Sequence, residues 1–269
     1  MAEKRKGFMA GRSVNWIVPN ALTLVGLCAG ITGIRFGIEG QWERAVIAIV
    51  VAAVIDGLDG RVARGLRVTS RFGAELDSLS DFVCFGVAPA LIIFFWSLQE
   101  AGGLGWAFAL CFAVCCAIRL ARFNTELDPD AVDDKPAWAK RFFTGVPAPA
   151  GGGLALLPLI FSLQLDEAAF ADPVICSIAL IGTSALMVSR LPTYSLKRLR
   201  VPGPYILFVL IGIGALIAFM ISTPWLTLGV LGLVYIGSIP LAWLAYRRMQ
   251  KNPPPEPQVL GDEEDEDEV

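Results

Sequence analysis

Four aspartates occur at helical spacing in two neighbouring stretches of the sequence, and they are its clearest candidates for chemistry. Asp56 and Asp59 are three residues apart and therefore lie on one face of a helix. Asp77 and Asp81 are four residues apart and lie on one face of the next helix. The chain contains no histidine, which excludes imidazole bases, Ser-His-Asp triads and His-ligated zinc. Carboxylates are therefore the expected acids, bases and metal ligands.

Small residues lie beside these acids, with Gly60 and Ala63 on the first helix face and Gly73 on the second. Acids at membrane depth are costly unless cations, water or nearby arginines compensate their charge. A salt-bridge network between two helix ends is one interpretation of the pattern. The small residues favour another, because they clear space in a cleft that both helix faces can share. Hard oxygen ligands with room for a diphosphate are typical of a Mg²⁺ or Mn²⁺ site for phosphoryl chemistry.

The helices that carry these acids belong to a very apolar chain. Of its 269 residues, 55% are hydrophobic and 17% are charged, and the mean hydropathy is +0.61, which is typical of an integral membrane protein. On the first apolar segment, the glycine pairs 26/30 and 33/37 allow close helix packing. We predict an all-α polytopic fold with about eight transmembrane helices. They are expected at residues 16–38, 44–62, 79–98, 104–122, 146–163, 171–189, 204–222 and 225–246.

The basic residues define the orientation of these helices. If the cluster at residues 4–12 is cytoplasmic, the later clusters at 61–71, 119–141, 190–200 and 247–251 all fall on the same side. Both termini are therefore predicted to be cytoplasmic. The expected organisation is a cytoplasmic N-terminal segment at 1–15, a transmembrane domain at 16–250, and a disordered acidic tail at 251–269.

The two acidic stretches together form the pattern D-x2-D-G-x2-A-R-x8-G-x3-D-x3-D, which begins at Asp56 and ends at Asp81. Through this pattern the chain resembles the CDP-alcohol phosphatidyltransferase family, whose eight fixed positions are all present. The resemblance implies a polytopic helical fold, usually dimeric. It also implies that a CDP-linked lipid and divalent metal, two Mg²⁺ or Mn²⁺ ions, bind in a polar cavity that faces the cytoplasm.

The resemblance also implies roles for individual residues. Asp81 would be the catalytic base as well as a metal ligand. The metal ligands implied are Asp56, Asp59, Asp77 and Asp81. The CDP-binding positions implied are Asp56, Gly60, Ala63, Arg64 and Gly73. On the first helix, Asn20 and Thr23 are one turn apart and could place polar groups beside the nucleotide, although Asn20 also fits a helix cap.

Three further stretches, at residues 119–124, 143–151 and 189–197, resemble the bacterial serine-specific members of this family. Serine carries a carboxylate and an ammonium group, so its pocket requires a guanidinium for bidentate recognition together with neutral acceptors. Ordinary anchoring of the cytoplasmic helix ends is the alternative role for arginines in this region. We predict a serine site at the cytoplasmic end of the fourth helix, formed by Arg119, Arg122 and Asn124.

The expected reaction is the transfer of a phosphatidyl group from CDP-diacylglycerol to L-serine, which yields phosphatidylserine and CMP. Lys197 and Arg198 are expected to contact the lipid phosphate. Alternative acceptors are glycerol 3-phosphate, inositol phosphate and choline. A divalent-cation or proton-coupled transporter is a more distant alternative, because transporter acids lie near the bilayer midplane within two related halves and the sequence has no visible repeat.

The expected setting follows from the same resemblance. We expect a multi-pass homodimer in the bacterial cytoplasmic membrane, with its active site facing the cytoplasm. Its partners are then CDP-diacylglycerol, L-serine and membrane lipids, and no nucleic-acid partner is expected.

Overall fold

The computed structural model describes residues 17–66, 70–126, 142–194 and 205–251. Helices make up nearly all of this part of the chain, as the sequence predicts. The α-helices are α1 (Ile17–Ile38), α2 (Trp42–Gly65), α3 (Arg71–Asp81), α4 (Ala88–Trp96), α5 (Gly102–Glu126), α6 (Ala148–Ala155), α7 (Leu157–Leu165), α8 (Pro173–Val188), α9 (Ile206–Ser222) and α10 (Pro224–Lys251), with 3₁₀ turns at Leu98–Ala101 and Ala168–Ala171. Each predicted segment overlaps one of these helices or a consecutive pair of them.

Helix length and composition identify a multi-pass membrane protein. Within the described ranges, four helical stretches are long and apolar enough to span a bilayer: Ile17–Ile38, Arg71–Trp96, Leu98–Thr125 and Pro224–Lys251. The consecutive helices α6 and α7 are bent by 44° and make a fifth span if they cross together. The total of eight spans and the cytoplasmic position of both termini stay predictions.

The remaining predicted spans differ from these in composition or length. Helix α2 has 24 residues, but Glu43 and Arg44 lie at its start and Asp56 and Asp59 lie near its end. These charges shorten the apolar centre of α2. Helices α8 and α9 are apolar but have only 16 and 17 residues.

Besides the bend between α6 and α7, the structure contains a π-helical turn and a pair of strands that the sequence does not predict. A single π-helical turn, Phe82–Val87, follows Asp81 and joins α3 to α4. Two short strands, β1 (Phe142–Thr144) and β2 (Pro192–Tyr194), pair antiparallel. These strands are the exception to the helical fold among the described residues. They tie the segment before α6 to the segment after α8.

Glycines let α1 approach its neighbours closely. A Cβ atom at Gly30 would overlap the side chain of Cys84 in the π turn, and one at Gly33 would stand 3.3 Å from the carbonyl oxygen of Ala45 in α2. The predicted glycine face is therefore confirmed as a packing surface. The buried glycines of α1 are Gly26, Gly30, Gly33 and Gly37.

The hydrophobic core lies among the π turn, α4, α5 and α8. Phe85, Ile92, Phe112 and Leu180 are almost completely buried there. This core holds the π turn in place directly after Asp81, so the end of α3 is fixed relative to α5. In contrast, α9 has no buried residue and packs chiefly beside α10.

Candidate active site

The acidic faces of α2 and α3 converge in the structure, as their spacing predicts. Asp56, Asp59 and Asp77 each place a carboxylate oxygen within 4.8 Å of the others. Asp59 is only 4% exposed, whereas Asp56 and Asp77 are partly exposed. Three carboxylates this close repel one another unless a cation lies among them. Their oxygen atoms fit the preference of a hard divalent cation such as Mg²⁺ or Mn²⁺.

Helix α1 supports this cluster with a hydroxyl group. Oγ1 of Thr23 donates a hydrogen bond to Oδ2 of Asp59 at 2.7 Å and also lies 3.1 Å from the carbonyl oxygen of Pro19. Both Thr23 and Asp59 are buried. The hydrogen bond orients the Asp59 carboxylate within the cluster. Thr23 therefore holds an acid in place, while its predicted contact with the nucleotide stays a prediction.

The start of α1 lies next to the start of α3. A Cβ atom at Gly73 would stand 3.0 Å from Oδ1 of Asn20 and 3.1 Å from Oγ of Ser70. Ser70 caps α3, because its hydroxyl oxygen accepts a hydrogen bond from the backbone N–H of Gly73 at 3.0 Å. The structure thus brings together Asn20 and Gly73, two predicted nucleotide contacts. It adds Ser70, which the motif does not contain but which a helix-start signal could have revealed.

The space next to Gly60 is open. Among the described residues, the one atom that a Cβ at Gly60 would meet within 4 Å is Nη1 of Arg64, at 3.7 Å. Ala63 is partly buried, and Arg64 is exposed. Helix packing therefore does not require a glycine at position 60. Close approach of a ligand to the backbone of α2 is a better explanation for the small residue.

Asp81 lies beside the three clustered carboxylates. It interacts electrostatically with Asp56 and Asp77, and with the guanidinium group of Arg119 in α5. It is not one of the three acids whose oxygen atoms lie within 4.8 Å of one another. A position beside the cluster suits a base that accepts a proton from a substrate hydroxyl.

Arg119 is the predicted acceptor residue that the structure brings to the acids. It is only 7% exposed, and its guanidinium carbon lies 5.3 Å from the ring centroid of Phe123. Its charge faces Asp81. Burial beside an acid argues against a simple anchor at the membrane surface, because such anchors extend into the headgroup region.

The other two predicted acceptor residues also connect helices. Nη1 of Arg122 donates a hydrogen bond at 2.9 Å to the carbonyl oxygen of Val188, the last residue of α8. Nδ2 of Asn124 donates one at 2.9 Å to Oγ of Ser78 in α3. Sequence reasoning missed Val188 and Ser78, because they lie 66 and 46 residues away along the chain.

The predicted phosphate contacts Lys197 and Arg198 lie outside the described residues. Their role in binding the lipid phosphate stays a prediction.

The chain is a helical, multi-pass membrane protein whose clustered carboxylates suit a divalent cation. The chain belongs to the CDP-alcohol phosphatidyltransferase family. The model of this family matches residues 16–188, and a second model, CDP-alcohol phosphatidyltransferase 2, matches residues 204–240. The first match includes the whole acidic pattern.

Several curated relatives have the name CDP-diacylglycerol–serine O-phosphatidyltransferase. The protein from Mycobacterium tuberculosis (strain H37Rv) is 39% identical over 243 residues, which cover 90% of this chain and 84% of that protein. The protein from Helicobacter pylori (strain 26695) is 34% identical over 190 residues, covering 69% and 75%. The protein from Bacillus subtilis (strain 168) is 30% identical over 174 residues, covering 65% and 88%.

Proposed function

We propose that the protein transfers the phosphatidyl group of CDP-diacylglycerol to L-serine, giving phosphatidylserine and CMP. The observation that carries this proposal is the 39% identity, over 90% of the chain, to proteins named for this reaction. The converging carboxylates of α2 and α3 support it, because phosphoryl transfer requires the developing charge to be neutralised.

Asp56, Asp59 and Asp77 would hold the metal, which we propose to be Mg²⁺ or Mn²⁺, with two ions bound. Asp81 would contribute as a further ligand from its position beside them. When bound, divalent metal supplies positive charge that stabilises the phosphoryl oxygens. The carboxylates themselves orient the site, since Thr23 fixes one oxygen of Asp59.

Asp81 acts as the base in the proposed reaction. Its carboxylate accepts the proton of the serine hydroxyl as that oxygen attacks the β-phosphorus of CDP-diacylglycerol. The new bond joins the serine oxygen to phosphorus, and the bond between this phosphorus and the oxygen of CMP breaks. Arg119 lies beside Asp81, where its positive charge would attract the carboxylate of the incoming acceptor.

The two substrates would bind on different elements. The CDP group lies along α1, α2 and α3, near a set of polar, charged and small residues: Asn20, Thr23, Asp56, Gly60, Ala63, Arg64 and Gly73. The acceptor lies towards α5, where Arg119, Arg122 and Asn124 face the serine carboxylate and ammonium groups. Lys197 and Arg198 bind the lipid phosphate.

We place the protein in the bacterial cytoplasmic membrane, as a homodimer with its site open to the cytoplasm. The acyl chains of the lipid substrate remain in the bilayer, while its diphosphate lies at headgroup depth. A cytoplasmic site gives direct access to soluble L-serine.

CMP release by the purified protein tests the function. The assay contains CDP-diacylglycerol and Mn²⁺ or Mg²⁺, with L-serine, glycerol 3-phosphate, inositol phosphate or choline as acceptor. We expect CMP release and formation of an aminophospholipid only with L-serine. Turnover with another acceptor and none with L-serine would assign the protein to a different branch of the family.

A further inference from the structure

The last described helix, α10, places the partly buried side chain of Tyr235 near Arg119. The hydroxyl oxygen of Tyr235 is buried, and no described residue is placed to make a well-formed hydrogen bond with it. Buried polar groups in folded proteins are nearly always paired. In a membrane-spanning helix an unpaired group is especially costly, because lipid offers no replacement for water. Among the described residues, the Tyr235 hydroxyl is thus available to a bound ligand.

The neighbours of Tyr235 lead back to the proposed base. Its hydroxyl lies beside Thr193 of β2 and near the guanidinium of Arg119. The hydroxyl of Thr193 donates its proton to the carbonyl oxygen of Gly145 at 2.9 Å, so Thr193 has no proton to donate to the phenol oxygen. Strand β2 packs against α10 and keeps the phenol at this position. Since Arg119 also interacts with Asp81, the phenol, the guanidinium and the base are successive neighbours.

This arrangement matches the chemistry of an amino acid acceptor. A serine molecule whose hydroxyl meets Asp81 holds its carboxylate only a few bonds away. In the proposed site the metal and the lipid diphosphate occupy the side formed by α2 and α3, so the serine carboxylate would point towards the opposite wall. There Arg119 offers positive charge and Tyr235 offers an O–H donor, and carboxylates bind most strongly to such charge-assisted donors.

We propose that Tyr235 is a specificity-determining residue, whose hydroxyl donates a hydrogen bond to the carboxylate of the acceptor beside Arg119. This inference rests on the proposed transfer to L-serine. It extends the acceptor site from α5 to α10, which lies beyond the acidic pattern and beyond the three stretches that resemble the serine-specific members of the family. Tyr235 then selects amino alcohols that carry a carboxylate over those that lack one.

The test compares Tyr235→Phe with Tyr205→Phe in the full-length protein. Tyr205 is 59% exposed at the start of α9, so its variant controls for loss of a phenol elsewhere in the membrane domain. CMP release is measured against the concentrations of L-serine and CDP-diacylglycerol, and again with serinol, in which a hydroxymethyl group replaces the carboxylate. Thermal unfolding of each variant is recorded in parallel.

We expect Tyr235→Phe to raise the KM for L-serine by about ten- to a hundredfold, as loss of a hydrogen bond to a charged group should. The KM for CDP-diacylglycerol and the turnover of serinol should remain unchanged. The fold should be as stable as the wild type or more stable, because the substitution removes an unpaired buried group.

Two results would overturn the inference. If the serine KM of Tyr235→Phe equals that of the wild type and of Tyr205→Phe, the phenol does not contact the acceptor. If serinol and serine lose activity equally, Tyr235 does not recognise the carboxylate. A wild type that does not use L-serine at all would instead contradict the proposed function, so the two failures are distinguishable.

Discussion

The hydroxyl of Thr23 lies 2.7 Å from Oδ2 of Asp59, and this hydrogen bond joins α1 to the acid cluster of α2. Both residues are buried, so water does not compete for the contact. Groups that orient a metal-binding side chain affect metal affinity although they do not touch the metal. Thr23 thus links the glycine-rich packing surface of α1 to the chemistry of the site.

Thr23→Val should weaken metal binding, because it removes the hydrogen bond while keeping the shape of the side chain. We expect the Mn²⁺ concentration for half-maximal activity to rise by about ten- to a hundredfold, with much of the activity restored at saturating Mn²⁺. Thr32→Val is the matched control, since Thr32 lies on the same helix and its hydroxyl donates a hydrogen bond to the carbonyl oxygen of Cys28 rather than to an acid. If both variants reach half-maximal activity at the same Mn²⁺ concentration, Thr23 does not support metal binding.

Asp56→Asn, Asp59→Asn and Asp77→Asn should each abolish activity without unfolding the protein. An amide keeps the volume of the carboxylate but lacks the charge that holds a divalent ion. Isothermal titration with Mn²⁺ should show lost or strongly weakened binding, and EDTA should inactivate the wild type. Glu43→Gln, at the exposed start of α2, is the control for loss of an acid from the same helix. Full turnover in EDTA would contradict the metal assignment.

Asp81→Asn should stop the chemical step while leaving much of the binding of CDP-diacylglycerol intact. The physical reason is its position beside the other acids, where its main proposed work is on the acceptor proton. Turnover and lipid-nucleotide affinity are measured on the same preparation. If the affinity falls as steeply as turnover, Asp81 is chiefly a ligand for metal or nucleotide.

The acid cluster could be predicted from sequence because its geometry depends on helical periodicity. Asp56 and Asp59 share a face whenever α2 is helical. Asp77 and Asp81 share a face of α3 for the same reason. The π turn at Phe82–Val87 could not be predicted in this way, because its apolar residues would suit a regular helix equally well. Only the packing of α4 and α5 around this segment favours the π turn over a regular α-helix.

The acceptor side was less predictable for a different reason. Arg119, Arg122 and Asn124 were recognised by resemblance, but their contacts depend on how α5 packs against α3 and α8. Tyr235 lies on α10, and the composition of this helix predicts only a membrane span. The burial of its hydroxyl depends on the packing of α10 against β2, which the sequence does not predict.

Ser78→Ala and Asn124→Ala should show coupled effects on stability. Each removes the same pair of hydrogen bonds between α3 and α5, so the double variant should lose less than the sum of both losses, by about 1 kcal/mol of unfolding free energy. If Asn124 also contacts serine, only Asn124→Ala raises the serine KM. Identical kinetics in both single variants would mean that Asn124 acts through Ser78 alone.

Arg122→Leu should raise the KM for L-serine sharply. If Arg122 pairs with the serine carboxylate, its removal strands that charge in a partly desolvated cleft, at an expected cost of about 2 to 4 kcal/mol of acceptor binding. The hydrogen bond to Val188 is compatible with this role, because a guanidinium has several N–H donors and that bond engages only Nη1. Loss of the bond should also lower the free energy of unfolding by about 1 kcal/mol.

A second substitution and a second acceptor distinguish loss of serine recognition from loss of stability in Arg122→Leu. Arg122→Lys keeps the charge but loses the planar fork, so it should bind serine with intermediate affinity. Ethanolamine, which lacks the carboxylate, should be a poor acceptor for the wild type and should lose less in Arg122→Leu. The metal and cytidine residues lie on other helices, so the KM for CDP-diacylglycerol should change little. If that KM rises while the serine KM stays constant, Arg122 serves the lipid phosphate or the tether to α8, and serine recognition rests on Arg119 and its neighbours.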